Sequence, residues 1–322
     1  MFFSYDDEKI RYTGRWGKEK NMITATACGA YFEFAFSGEM ISLHFDTENQ
    51  IFPIPHLWIS MDGGARYECP ISPVVKINSR DNEIHNVCVI LKSAVETQHR
   101  WYAPLVAKVS FKGITADKLY CLTPDNRKTI EFLGDSITEG VLLDDEYHVY
   151  SDDFHNRPYK DDACATYAWL TAENLNLRPY IVGFGGMGVL NIGNASVPKA
   201  SEVYPYNFYE SPVDYQAPDY IVINYGVNDY RFDADIFTEN YLELLKVIRK
   251  RCPDSKIFVL PCFRGDHFDV LRDFIVNYNR DYNDNICFID STDWVPKEPL
   301  HPLRAGHKII AEKLTSALAE LL

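Results

Sequence analysis

The sequence predicts an α/β protein in two parts, an all-β sandwich followed by a parallel sheet with helices on both faces. Two observations carry this prediction. Up to about residue 122, apolar residues recur at every second position in short runs separated by turn signals. After it, short apolar runs alternate with stretches of helical period, the pattern of a parallel sheet built through helical crossovers.

The front part is read from three runs. In Tyr31-Phe32-Glu33-Phe34-Ala35-Phe36 the aromatics at 32, 34 and 36 share one face of a strand. Ile41, Leu43 and Phe45 repeat the alternation, as do Val87, Val89 and Leu91. Ser37-Gly38, Asp62-Gly63-Gly64 and Ser79-Arg80-Asp81-Asn82 supply the turns between runs. No helical period of useful length precedes about Leu122, and the polar stretch Thr123 to Lys128 marks a boundary. Domains are therefore expected at 1–123 and 128–322.

In the second part, strands are expected at Ile130–Leu133, Tyr180–Val182, Tyr220–Asn224, Ile257–Leu260 and Ile286–Ile289. Phe237, Tyr241, Leu244, Leu245 and Ile248 fall at helical spacing, as do Phe268, Leu271, Phe274, Ile275 and Tyr278. Ala163–Leu175 and Ala305–Leu321 are the other helical stretches. Open sheets of this kind bind ligands at the carboxyl ends of their strands, so residues that do chemistry should lie just past a strand.

Composition narrows the function. With 46% hydrophobic and 24% charged residues over 322 positions, the chain has the balance of a folded globular protein with room for two cores. A net charge of -14 argues against nucleic acid and against an anionic membrane surface as partners. A neutral ester or sugar suits that charge. No apolar run approaches the length of a membrane span, and Met1 to Glu8 lacks a basic-then-apolar leader pattern, so a cytoplasmic protein is expected unless a leader has been removed. None of the eight cysteines forms a C-x-x-C pair, so they are read as reduced, small hydrophobic residues rather than zinc or redox groups.

Four strand ends carry polar or glycine-rich groups. Ile130-Glu131-Phe132-Leu133 runs into Gly134-Asp135-Ser136-Ile137-Thr138-Glu139-Gly140, where the glycine permits a tight turn and the following helix aims N–H groups at developing negative charge. Alone, Gly-Asp-Ser is a weak signal, equally readable as a helix cap. Tyr180-Ile181-Val182 opens onto Gly183-Phe184-Gly185-Gly186-Met187-Gly188, whose bare backbone allows close approach of a ligand. It has neither G-x-G-x-x-G nor a Gly-Lys-Ser/Thr ending, so a nucleotide loop is rejected. Tyr220 to Asn224 leads to Tyr225-Gly226-Val227-Asn228-Asp229, placing an amide beside the same pocket. Ile286 to Asp290 is followed by Glu298-Pro299-Leu300-His301-Pro302, with His307 as a rival to His301. Each group has an ordinary explanation singly. Four at successive strand ends do not.

These blocks resemble those of the SGNH/GDSL hydrolases. Gly134 to Gly140 is similar to the first block, Gly226-Val227-Asn228-Asp229 to the Gly-x-Asn-Asp block, and Glu298 to Pro302 to the final Asp-x-x-His-Pro block. Gly186 is the counterpart of the oxyanion glycine in a loosely matched glycine block. The domain order, together with Ile10-Arg11-Tyr12-Thr13-Gly14-Arg15-Trp16, resembles carbohydrate esterase family 2. That resemblance implies a jelly-roll-like sandwich ahead of a flavodoxin-like, three-layer α/β/α SGNH domain. It also implies removal of acetyl groups from polysaccharides, without metal or cofactor.

The roles it implies are Ser136 as nucleophile, His301 as base, and an oxyanion hole of the Ser136 and Gly186 N–H groups and the Asn228 side chain. Glu298 stands where the family has Asp. It is taken as the acid that orients His301, with Asp293 or a backbone carbonyl as alternatives. Trp294, Asp135 and Asp229 are candidate substrate-binding residues. The acidic stretch Asp144 to His155 contains His148 and His155 but reads as a solvated lid or loop, not a metal site. The expected partner is an acetylated carbohydrate or other small ester.

Overall fold

The computed structural model describes residues 1–145, 154–190 and 195–322. The first 120 residues form a jelly-roll sandwich of two antiparallel six-stranded sheets. One sheet runs Gly17–Glu19, Met22–Ala25, Val109–Thr115, Met40–Asp46, Val74–Asn78, with Phe2–Ser4 also on Val109–Thr115. The other runs Lys118–Tyr120, Tyr31–Ser37, His85–Ser93, His56–Met61, Tyr67–Pro70, with Arg11–Thr13 also on Tyr31–Ser37. The alternation in the sequence becomes the core. Phe32, Phe34 and Phe36 point inward from one sheet and Ile41, Leu43 and Phe45 from the other. Phe32 stacks on Phe111 across the layer at 4.3 Å between ring centroids.

The second part is a parallel sheet of five strands in the order Arg178–Gly183, Thr129–Gly134, Tyr220–Asn224, Lys256–Leu260, Cys287–Phe288. In chain order this is 2-1-3-4-5, the flavodoxin-like arrangement with its switch point beside the first strand. Alternate residues of each strand enter opposite layers. Phe132, Ile181, Val222 and Phe258 pack with helices Tyr167–Asn174 and Arg304–Ala319. Leu133, Val182, Ile223 and Val259 pack with helices Ala234–Arg251 and Phe268–Tyr282. Burial on both faces explains why these strands read as continuous apolar runs.

Two elements differ from the sequence expectation. The helical stretch from Ala163 begins as a 3-10 turn, Ala163–Ala165. The α-helix starts at Tyr167 because Thr166 caps it, its Oγ1 accepting from the Trp169 N–H at 3.2 Å. The last strand shortens to Cys287–Phe288, an edge position where only one neighbour holds it.

The two parts are joined by buried polar contacts. Arg15, in the Gly14-Arg15-Trp16 segment, donates from Nη1 to the carbonyls of Tyr204 (2.7 Å) and Tyr206 (2.8 Å). Its Nη2 lies 3.3 Å from Glu131 Oε1 on the first parallel strand. Trp58 Nε1 donates to Asp162 Oδ1 at 2.9 Å, and Ser93 Oγ to the Pro158 carbonyl at 2.7 Å. All eight cysteines are free, but only Cys28, Cys164, Cys252 and Cys262 are buried, and Cys121 is exposed. Among the described residues no helix is long and apolar enough to cross a membrane.

Candidate active site

One row of the parallel sheet sets the site. Gly134 is the register partner of Gly183 on one side and of Asn224 on the other, so three strands end side by side. Each then turns into a loop that carries a candidate residue.

From Gly134 the chain turns sharply into the short helix Ser136–Glu139. A Cβ on Gly134 would stand 2.0 Å from Thr138 Oγ1, which is why a larger residue is not accommodated there. Asp135 caps the helix, its Oδ1 accepting from the Ile137 N–H at 2.9 Å. Ser136 is the first helical residue, so its own N–H has no intrahelical acceptor.

His301 arrives from the other end of the domain, just ahead of the helix Arg304–Ala319. Its Nε2 is 2.8 Å from Ser136 Oγ, and both side chains are almost completely buried. With the ring proton on Nδ1, Ser136 donates and Nε2 accepts, the direction that proton removal from the serine requires.

The glycine loop makes a tight turn over Phe184–Met187, closed by Met187 N–H to the Phe184 carbonyl at 3.0 Å. Gly186, third in that turn, has φ 74°, the left-handed value that a type II turn requires there. Its N–H donates to no described residue, and Gly186 is half-buried while the residues on either side are buried. Asn228 follows the third strand, after Gly226 at φ 130°. Its Nδ2 donates to the Met187 carbonyl at 3.0 Å, which ties it to the glycine loop and, among the described residues, commits one of its two amide hydrogens. Asn228 too is half-buried.

Asp135 and Asp229 are buried, and each accepts hydrogen bonds from backbone N–H groups. Asp229 accepts from the N–H groups of Val189 (3.2 Å) and Leu190 (3.0 Å), so it is a brace between the glycine loop and the Asn228 loop. Burial pushes the Asp135 carboxyl up to about 7, against the opposing hydrogen bond from Ile137, and pushes Asp229 up to about 6. Glu298 is exposed and has no hydrogen bond or ion pair to His301. Asp293 is likewise exposed on the solvent side of the loop. Trp294 is half-buried against the helix-and-sheet core beside Val295.

His307 is fully buried, its Nδ1 accepting from the Tyr167 N–H at 3.0 Å, and burial drives its pKa down to about 3. It is a neutral structural group. His155 is exposed with its ring 5.1 Å from that of Phe52, and His148 lies outside the described residues. No cluster of three metal-ligating side chains occurs among the described residues.

The sequence reading missed a buried pair behind the glycine loop. Glu139, at the end of the helix that Ser136 opens, receives both guanidinium nitrogens of Arg100, Nη1 on Oε1 and Nη2 on Oε2 at 2.9 Å. Glu139 Oε2 also accepts the Gly185 N–H at 2.7 Å. A charged residue inside an otherwise buried first block was the available signal for Glu139. Arg100 lies in a different domain and had none.

A serine and a histidine joined at the carboxyl edge of a 2-1-3-4-5 sheet define a serine hydrolase fold of the SGNH type. The chain belongs to the GDSL-like lipase/acylhydrolase family, whose model matches residues 132–309. It is 29% identical over 240 residues to a cellulase/esterase, CelE, of Acetivibrio thermocellus, a match covering 66% of this chain and 28% of that one. It is 24% identical over 211 residues to an acetylxylan esterase/glucomannan deacetylase of Cellvibrio japonicus, covering 61% of this chain and 58% of that protein. The chain thus spans less than two thirds of either curated relative. Among solved structures, a family two carbohydrate esterase from Cellvibrio japonicus superposes with a TM-score of 0.82 at 19% identity, over 99% of this chain and 97% of that one. One from Clostridium thermocellum in complex with cellohexaose gives 0.77 at 22% identity, over 97% and 98%. At these identities the likeness establishes a shared two-part fold.

Proposed function

We propose that this chain is a serine esterase that removes short acyl groups, acetyl above all, from carbohydrates. The observation that carries the reading is the 2.8 Å contact between His301 Nε2 and Ser136 Oγ, beside a half-open glycine and asparagine. Ser136 Oγ attacks the ester carbonyl carbon as its proton passes to His301 Nε2. The tetrahedral oxyanion is met by the Ser136 and Gly186 N–H groups and the second hydrogen of Asn228 Nδ2. The intermediate collapses as His301 returns the proton to the departing alcohol, leaving an acyl-serine. Water then attacks that ester with His301 again accepting the proton, and acetate and free serine result.

The acetyl group and the sugar are supported by relatives described as an acetylxylan esterase/glucomannan deacetylase and as family two carbohydrate esterases. The net charge of -14 also favours a neutral polyhydroxyl substrate over an anionic one. Turnover should be measured on 4-nitrophenyl esters of increasing chain length and on acetylated xylo- and gluco-oligosaccharides, with Ser136→Ala as control. Rates that fall steeply beyond propionyl, with acetate released from the oligosaccharides, are expected. A preference for long acyl chains would make the chain a lipase-like hydrolase instead. Sugar binding without any release of acetate would make it a carbohydrate-binding protein.

A further inference from the structure

A sandwich arginine reaches the catalytic loop. Arg100 follows the sandwich strand His85–Ser93 in the loop over residues 94–108, and its side chain is completely buried against the other domain. Its guanidinium grips both oxygens of Glu139, lies 5.0 Å over the Phe184 ring, and places Nε 3.3 Å from Ser196 Oγ. Glu139 in turn holds the Gly185 N–H at 2.7 Å and accepts from Cys28 Sγ at 3.3 Å. Gly185 also sits close to a second residue of the sandwich loop. A Cβ there would lie 2.4 Å from Glu96 Cβ. Glu96 belongs to the same sandwich loop and is paired with Arg157 at 2.6 Å.

We propose that Arg100 and Glu139 are positioning residues for the oxyanion hole. Arg100 fixes the Glu139 carboxylate, and that carboxylate fixes Gly185, so the neighbouring Gly186 N–H is held rigid where the oxyanion forms. This rests on the esterase reading above and adds to it that the sandwich supplies part of the catalytic support. Two buried charges give up their hydration, and apolar side chains of similar volume would fill the same space without that penalty. Apolar groups cannot accept the Gly185 N–H. The pair is therefore explained by the loop it restrains, where a donor fixed before the reaction stabilises the transition state with no reorganisation.

The test uses the full chain, 4-nitrophenyl acetate as substrate and phenylboronic acid as a probe whose serine adduct is a tetrahedral anion. In the double variant Arg100→Met/Glu139→Leu, kcat should fall about 10²-fold, the order of a lost oxyanion donor, with KM within about threefold. Affinity for the boronate should weaken by the same factor as kcat. In Arg100→Met/Glu139→Gln the amide oxygen can still accept from Gly185 but lacks the arginine that fixes it, so kcat should recover only to about tenfold below wild type. A purely structural pair would not distinguish Leu from Gln in this way. Wild-type kcat and boronate affinity in the folded Met/Leu variant would overturn the proposal. Should that variant fail to fold, Arg100→Lys decides. Lysine cannot make the two-point grip, and kcat should fall about tenfold at unchanged KM. An unaltered kcat there overturns the proposal equally. A wild-type chain inactive on acetyl esters would instead sink the esterase reading, leaving the two failures distinct.

Discussion

His301 Nε2 and Ser136 Oγ meet at 2.8 Å although 165 residues of chain separate them, and both are shielded from solvent. Groups that work as one unit are lost as one unit. Ser136→Ala and His301→Ala should each lower kcat on 4-nitrophenyl acetate by about 10⁴-fold or more, and the double variant should cost little beyond either single one. Circular dichroism spectra matching wild type should accompany each variant, so that the loss is not one of folding. Losses that multiply would show that the two side chains do not act together.

Asn228 offers a different signature, because it would contribute to the transition state and not to removing the serine proton. Asn228→Ala is expected to lower kcat by about 10²–10³-fold with KM little changed. Its hydrogen bond to the Met187 carbonyl is lost at the same time, and this also loosens the glycine loop. A variant that raises KM while sparing kcat would place Asn228 in ground-state binding instead.

Glu298 provides the contrasting case. Its carboxylate is exposed and is not bonded to His301, so Glu298→Gln should leave kcat within about threefold of wild type. Measuring kcat/KM across pH 5 to 9 checks both rate and profile. A loss of about 10²-fold would return Glu298 to the role that its place in the final block implies.

The contrast shows what a sequence makes visible. The parallel strands are legible because burial on both faces leaves each as an uninterrupted apolar run, and Ser136, Gly186 and Asn228 are legible because they sit directly past such runs. His301 is legible only through its motif, since a loop histidine has no periodicity. The structure separates it from His307 by partner, since His307 Nδ1 accepts from the Tyr167 N–H while His301 Nε2 meets Ser136 Oγ. Glu298 is poorly legible because three-residue spacing in an irregular loop does not fix where a side chain points. Asp135 and Asp229 are poorly legible for a related reason. A carboxylate beside a catalytic residue reads as exposed chemistry, and here both are spent on backbone N–H groups. The Arg100–Glu139 pair was out of reach, because a cross-domain contact leaves no pattern in either segment.

Asp135 makes the stability of the folded chain depend on pH in a definite direction. Burial holds its carboxyl at about 7 in the folded chain, against an ordinary value of 3.8, so the folded chain binds the proton more tightly than the unfolded one. The stabilisation that this proton provides is complete below about pH 4 and is lost as pH rises toward 7. A difference of about three pH units corresponds to about 4 kcal/mol, as an order of magnitude. Asp135→Asn removes the ionisation and keeps an oxygen that accepts from Ile137, so the helix cap persists. Urea unfolding at intervals from pH 4 to pH 8 should therefore show wild-type stability declining across this range and a shallower decline in the variant. The remaining slope belongs in part to Asp229, which burial holds at about 6. Identical slopes in the two proteins would mean that Asp135 is not the group whose ionisation the folded chain resists.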